Sequence, residues 1–386
     1  MKKMMKNVKK RQLKVVAAAV LTMSVLLQGC AGKTENVATG QTAAEVSAQE
    51  AEAGGESAAG NEAGGEAEAG NEAGREAEAE NETETGNEVV TGKENVAEGI
   101  TFTDDLGRTV TVKSHERVVT MIGSFTDIWL LAGGDIVATA NDSWTSFDFG
   151  LGDDVINIGS HVEPDAEKVI AAKPDLIIAS ANTDADVNME KLFADAGITT
   201  AYFAVSDFED YIRMLEICTD ITGRKDLLQK NGYDVRNQVD AAKERAQKRI
   251  ADGEKAPTVV FLRASTSSIK AKGSKDNVGG VMLAGLGCIN IADDDASLLD
   301  DLSMEAIIAA DPDFIFVTTQ GTDTEAVLAN VEETLLNNPA WNKLTAVKNN
   351  QYYMLEKELY NLKPNARWGE AYEKLETILY GEKADQ

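Results

Sequence analysis

The sequence predicts an α/β protein of two similar α/β lobes joined by one long bridging helix, preceded by a stretch that does not fold. Three observations carry this. Glu167–Ile178 and Glu305–Phe316 match in phase over twelve positions, each reading as a short helix, a Pro-Asp turn and an apolar strand. The runs Leu176-Ile177-Ile178 and Phe314-Ile315-Phe316-Val317 are continuously apolar, as parallel strands covered on both faces require. Between the two copies, Leu228, Val235, Val239, Ala242, Ala246 and Ile250 recur at steps of three, four or seven, which is one stripe of a long helix.

The chain opens with Lys2, Lys3, Lys6, Lys9, Lys10, Arg11 and Lys14, then an apolar stretch from Val15 to Leu27. This is the pattern of an export signal. It is shorter than the roughly 20 apolar residues of a membrane-spanning helix. It closes on Leu26-Leu27-Gln28-Gly29-Cys30, a string that resembles a bacterial lipobox. Residues 1–29 therefore read as a lipoprotein signal peptide and Cys30 as the lipidated N-terminus of the mature chain. The expected location is the extracytoplasmic face of the cell membrane, held by lipid.

Residues 31–99 hold seventeen Glu, no Asp, three basic residues and no Phe, Trp or Tyr. The segment Gly-Asn-Glu-Ala-Gly occurs at 60–64 and again at 70–74. Ordering such a stretch costs roughly 1–2 kcal/mol per residue and buries almost nothing in return. Residues 30–99 are therefore expected to act as a disordered tether. As a flexible coil its mean end-to-end distance is on the order of 45 Å, and repulsion among the glutamates lengthens it.

From Ile100 onward the elements alternate, as layered α/β folds do. Strands are expected at Val118–Ile122, Ile136–Thr139 and Leu176–Ile178 in a first lobe spanning 100–222, with helical segments at 187–196 and 208–222. The bridging helix occupies 223–255, with Asn231-Gly232 as a candidate interruption near its start. The second lobe, 256–386, begins with the strand Thr258–Leu262. In each repeat the proline ends the helix, because its ring clashes with the preceding turn. This part carries 48 acidic and 27 basic residues, a formal charge of −21, which speaks against nucleic-acid binding. Cys218 and Cys288 read as small buried hydrophobes, with a disulfide between them as the alternative.

The order Asp104-Asp-Leu-Gly-Arg-Thr-Val-Thr-Val112, Glu116-Arg-Val-Val119 and the two Pro-Asp motifs resembles the substrate-binding lipoproteins of ABC importers for iron complexes and cobalamin, the helical-backbone class. The resemblance spans about Thr101 to Gly381. It implies a ligand cleft between the lobes, a permease dimer with its ATPase as partner, and one glutamate from each lobe docking on permease arginines. Glu167 and Glu305 hold the matching positions. Carboxylates at the start of a helix are also favoured by the helix dipole alone. A monomer is expected, with no catalytic residue, no resident metal and no cofactor besides the lipid.

In this architecture ligands meet loops at the carboxyl ends of the strands. The candidates are Ser124, Phe125, Trp144, His161 and Thr183 in the first lobe and Arg263, Tyr360, Arg367 and Trp368 in the second, with Lys270 and Lys272 at the rim. Arginine offers a planar fork of donors for carboxylate, phosphate or catecholate oxygens, and the aromatic rings offer flat surface for a large ligand. His115 and His161 are the only histidines, too few for a bare zinc or manganese carrier. A ferric siderophore brings its own coordination shell and ranks first. Haem, with His161 or Tyr360 as axial ligand, and cobalamin are the alternatives. Outside this class stand a surface receptor or adhesin on the same lobes and an exported hydrolase. The sequence has no Gly-x-Ser-x-Gly, His-Glu-x-x-His or phosphate loop to support the hydrolase.

Overall fold

The computed structural model describes residues 99–381 apart from Asp276, Asp295, Ala296 and Asp301. The export signal, Cys30 and nearly all of the expected tether lie outside the described residues. The described chain begins with the hairpin β1 (Ile100–Thr103) and β2 (Thr109–Val112). Asp104 and Asp105 at its turn tie it to the first lobe. Asp104 accepts the Tyr202 amide (3.2 Å), Asp105 accepts that of Ala204 (2.6 Å), and Arg213 forks onto Asp105 (2.7 and 3.0 Å).

The first lobe is built on β3 (Val118–Thr120), β4 (Ala138–Thr139), β5 (Ile156–Asn157), β8 (Leu176–Ser180) and β9 (Thr199–Phe203), in the order β5-β4-β3-β8-β9 with every pair parallel. The small hairpin of β6 (Gly159–Ser160) and β7 (Glu163–Pro164) sits between β5 and β8 in the chain. The second lobe uses β10 (Thr258–Ala264), β11 (Ile269–Lys272), β12 (Ile289–Asn290), β13 (Phe314–Thr319) and β14 (Tyr352–Met354). There β10 lies between β11 and β13, with β14 beyond β13 and β12 also beside β10; β11 alone runs antiparallel.

Each Pro-Asp motif performs the same joint. Asp175 accepts the amides of Glu116 (2.9 Å) and Arg117 (3.0 Å) and the Ser114 hydroxyl, just ahead of β3. Asp313 accepts the Thr258 amide (2.9 Å) and hydroxyl (2.7 Å) at the start of β10. The aspartate thus pins the strand that follows it to the first strand of its lobe. Burial alone would raise the Asp175 carboxyl, but the hydrogen bonds it accepts hold it below the ordinary value, and Asp313 behaves likewise. The residues before the prolines, Lys173 and Asp311, both have positive φ (51° and 40°). The helix ends therefore in a left-handed residue as well as at the proline.

A helical run joins the lobes: Lys225–Leu228, a single π turn at Gln229–Tyr233, then Asp234–Ala251. Asn231-Gly232 widens the helix without breaking it. The Asn231 side chain donates to the Leu131 carbonyl (2.8 Å), and its own carbonyl accepts the Tyr211 hydroxyl (2.7 Å). Five stripe residues, Leu228 to Ala246, are buried, and Ile250 is partly buried. One apolar core passes from Phe125 and Phe208 through this stripe to Trp368 and Tyr372, while the outer face of each sheet has a core of its own.

Several expected boundaries shift. The Ile136–Thr139 strand shortens to Ala138–Thr139, and the helical segment 187–196 divides into Asp184–Asn188 and Glu190–Asp195. Strand β10 continues through Arg263 to Ala264. Cys218 is buried, Cys288 is partly buried, and both are free.

Candidate functional site

The carboxyl ends of β8, β9 and β10 open on one cleft between the lobes. It encloses about 220 Å³. Asn182, Val205 and Ser206 form its first-lobe wall. Phe261, Arg263, Lys272, Asn277 and Val278 form the facing wall, and the loop bearing Tyr360, Asn361 and Lys363 closes one side.

The register of the second sheet explains the charge of this wall. Arg263 stands opposite Lys270, and Phe261 opposite Lys272, on the antiparallel pair β10–β11. Residues two apart share a face, so three cations stand together, an arrangement that like-charge repulsion disfavours. Burial is the cause that lowers the Arg263 pKa, and no carboxylate among the described residues offsets it. Lys272 is lowered by burial and by the charges of Arg263 and Lys270. Beside Arg263 on β13 lies Thr318, whose buried hydroxyl has no partner among the described residues.

The helix Val278–Gly285 adds the positive end of its dipole. Asn277 caps it by accepting the Gly280 amide (2.8 Å) and itself lines the cleft. Its glycines serve close packing: a Cβ on Gly279 would stand 2.3 Å from the Phe261 ring, and one on Gly280 2.0 Å from the Gly273 carbonyl oxygen.

Lys363 escaped sequence reasoning. Its ammonium stands 5.5 Å from the Phe125 ring centre and feels the charge of Asp142, so it reaches the first lobe from the second. Burial lowers its pKa and Asp142 pulls the other way. The signal available was a lysine in the Tyr360–Trp368 loop that the sequence already placed near the cleft.

The sequence-derived candidates separate into groups. Arg263 and Tyr360 line the cleft, and Lys272 joins them. Ser124 and Phe125 are buried in the first turn of the helix Gly123–Leu131 rather than in a loop, behind Lys363. Thr183 follows the cleft residue Asn182 and precedes the helix Asp184–Asn188. Trp144 and His161 do not line this cavity; His161 lies 3.9 Å from Asp142. Arg367 is turned away and forks onto Glu370 (2.7 and 3.0 Å). Trp368 is fully buried where the lobes meet, edge-on to Phe208 at 5.9 Å. Arg367 ends the short turn Asn365–Arg367 and Trp368 opens the closing helix Trp368–Tyr380, so their side chains leave that junction away from the cleft.

Two acids of the first lobe, one fully and one partly buried, are pushed toward their neutral forms. Asp186 is fully buried and accepts the Ser180 amide (2.8 Å), while its second oxygen has no partner among the described residues. Burial first, and the neighbouring Asp142 charge in addition, push its pKa up to about 7. Asp142 is raised too, mainly by burial, although it accepts the Gly123 amide (2.9 Å). Glu167 and Glu305, outside the cleft lining, hold the second position of the helices Ala166–Ala171 and Met304–Ala310, capped by Asp165 and Ser303. Both carboxylates are exposed.

Comparison with known proteins agrees with this geometry. The family described as Periplasmic binding protein matches residues 118–359. The uncharacterized ABC transporter substrate-binding lipoprotein YvrC of Bacillus subtilis is 27% identical over 292 residues, covering 73% of this chain and 85% of that one. The Fe(3+)-citrate-binding protein YfmC of the same organism is 22% identical, covering 70% and 82%. Among solved structures, the periplasmic catecholate-siderophore binding protein VctP from Vibrio cholerae shares the fold at a TM-score of 0.57 and 18% identity, over 73% of this chain and 99% of that one. With two α/β lobes, one bridging helix and a cleft between them, the chain belongs to the periplasmic binding protein family.

Proposed function

We propose that this chain is the substrate-binding lipoprotein of an ABC importer and that it carries a negatively charged ferric chelate, a siderophore, in the cleft between its lobes. The observation that supports the anionic ligand most directly is the wall of Arg263, Lys272 and Lys363 with the capped helix start at Asn277, which includes no carboxylate among its described residues. Such a wall favours an anion through charge-assisted hydrogen bonds and the helix dipole. No bond is made or broken; the protein captures and delivers.

Haem and cobalamin are less well served. Tyr360 donates its hydroxyl to the Ala371 carbonyl (3.1 Å), and burial pushes its pKa up, so a phenolate ligand to iron is costly there. His161 is directed at Asp142. The relatives named above as lipoprotein and Fe(3+)-citrate-binding protein support both the lipid anchor at Cys30 and the ferric cargo. Among the described residues no helix is long and apolar enough to cross a membrane.

A cavity of about 220 Å³ is smaller than the roughly 300–1,000 Å³ of common small-molecule sites. A chelate of siderophore size therefore protrudes from the cleft or widens it by small shifts of the lobes. Delivery is assigned to Glu167 and Glu305. The variant Glu167→Lys with Glu305→Lys is expected to keep its affinity for ferric chelate while cellular uptake of iron from it is lost. Affinity lost along with uptake would make these residues supports of the lobes instead.

A further inference from the structure

Among the contacts between the lobes is a buried amide with one hydrogen bond too few. Asn365 belongs to the second-lobe turn Asn365–Arg367, is fully buried, and is held in the left-handed region (φ 49°). Its side-chain NH2 donates to two acceptors on the first-lobe helix Gly123–Leu131: the Ser124 carbonyl (2.9 Å) and Asp127 Oδ2 (2.8 Å). These acceptors fix the amide's orientation, since a flip would set its oxygen against two other oxygens. In that orientation Asn365 Oδ1 is buried without a partner among the described residues.

An ionised carboxylate has no hydrogen to offer this oxygen; a carboxylic acid has one. We propose that Asp127 and Asn365 form a proton-operated latch between the lobes. In its neutral form Asp127 donates O–H to Asn365 Oδ1 while its other oxygen keeps accepting the amide N–H, closing a ring of two hydrogen bonds across the seam. On ionisation one of the two bonds is lost and a charge is left in the seam.

The surroundings bias Asp127 toward the neutral form. Burial is the largest influence and places its pKa at about 6, against the Asn365 hydrogen bond and the Arg367 charge, which act the other way. Arg367 is itself paired with Glu370, so its field at Asp127 is partly cancelled. From the helix Phe208–Thr222 the neighbouring group is the Tyr211 phenol, already committed to the Asn231 carbonyl. From the helix Asp142–Thr145 it is Asp142, bound to the Gly123 amide at the far end of the Asp127 helix. On β3 it is the Thr120 hydroxyl, bonded to Thr126 (2.7 Å). From the second lobe the Lys363 ammonium stands over the Phe125 ring of the same helix, and His115, in the segment before β3, meets Trp129 edge-on.

The same helix is also held by Asn231 of the bridging run through the Leu131 carbonyl, so the latch acts on a first-lobe helix that the bridging run grips as well. A group whose pKa is raised in the joined state stabilises that state fully below its free value, near 3.8, and loses the effect as pH rises through about 6. The lobes are therefore held more firmly in acid and released toward neutrality. If the parted state restores the free value, the parting equilibrium rises about tenfold between about pH 5 and about pH 7.5.

Hydrogen exchange of the full chain reads this directly, with intrinsic rates corrected. Protection of the amides at Ser124–Asp127 is expected to fall about tenfold over that interval in the unmodified protein. In Asp127→Asn, whose amide can donate at every pH, it is expected to stay constant. Equal pH dependence in both proteins, or none in the unmodified one, overturns the latch. Because the variant could lose its fold, 13C NMR of the unmodified protein gives an independent reading. An Asp127 carboxyl titrating near pH 6 supports the proposal; one titrating near the free value overturns it.

Discussion

Arg263 shows what one position can disclose about cargo. Its guanidinium is partly buried in a cleft wall, lies beside Lys272, and has no acid opposite among the described residues. Such a group is stable in place because other parts of the fold hold it there, and an incoming anion offsets its desolvation. Asp186 is the counterpart on the other lobe. Burial keeps it protonated up to about pH 7, so it stabilises the fold fully below the free carboxylate value and less as pH rises through 7. Asp186→Asn is expected to flatten the fall of the thermal midpoint between about pH 4 and about pH 7; an unchanged slope would assign that fall to other groups. Residue chemistry was the least legible level in the sequence. Arg263 and Tyr360 line the cleft, whereas Arg367 ends a short turn and Trp368 opens the helix after it, and no periodicity encodes the direction of that junction. Lys363 was overlooked because its role depends on a contact with the opposite lobe.

At the scale of elements the sequence spoke more clearly. The Pro-Asp repeats were visible because their job is local in pattern: end a helix, reverse the chain, begin a buried strand. What the pattern did not state is the partner of each aspartate, which lies 55 to 61 residues earlier, at Thr258 or at Ser114–Arg117. The two sheets also differ where the repeat suggested likeness, since β11 turns back antiparallel and thereby brings Lys270 and Lys272 beside Arg263. The helix Val278–Gly285 depends on its glycines for its approach to the cleft wall. Gly280→Ala would set a methyl 2.0 Å from the Gly273 carbonyl oxygen, so the loop must move. A loss of about 1–3 kcal/mol in denaturant unfolding is expected, as for overpacked cores. Unchanged stability would mean that the loop yields freely.

Over the whole molecule, one apolar core runs through both lobes and the bridging stripe. Lobes that share a buried apolar contact move by small adjustments rather than wide hinge closure. This core was legible as a stripe on the bridging helix, while its continuation through Trp368 and Tyr372 was not, since those residues are distant in sequence and meet the stripe only in the fold. The stiff frame and the charged cleft together make one claim: an anionic ferric chelate is held between the lobes by the cationic wall. Isothermal titration of the purified chain with ferric siderophores, ferric citrate, haem and cobalamin, repeated with Arg263→Ala, tests it most directly. The account predicts saturable binding of an anionic ferric chelate, weakened by about 2–5 kcal/mol in the variant. Binding of haem or cobalamin in its place, or a ferric chelate held equally well without Arg263, would contradict it.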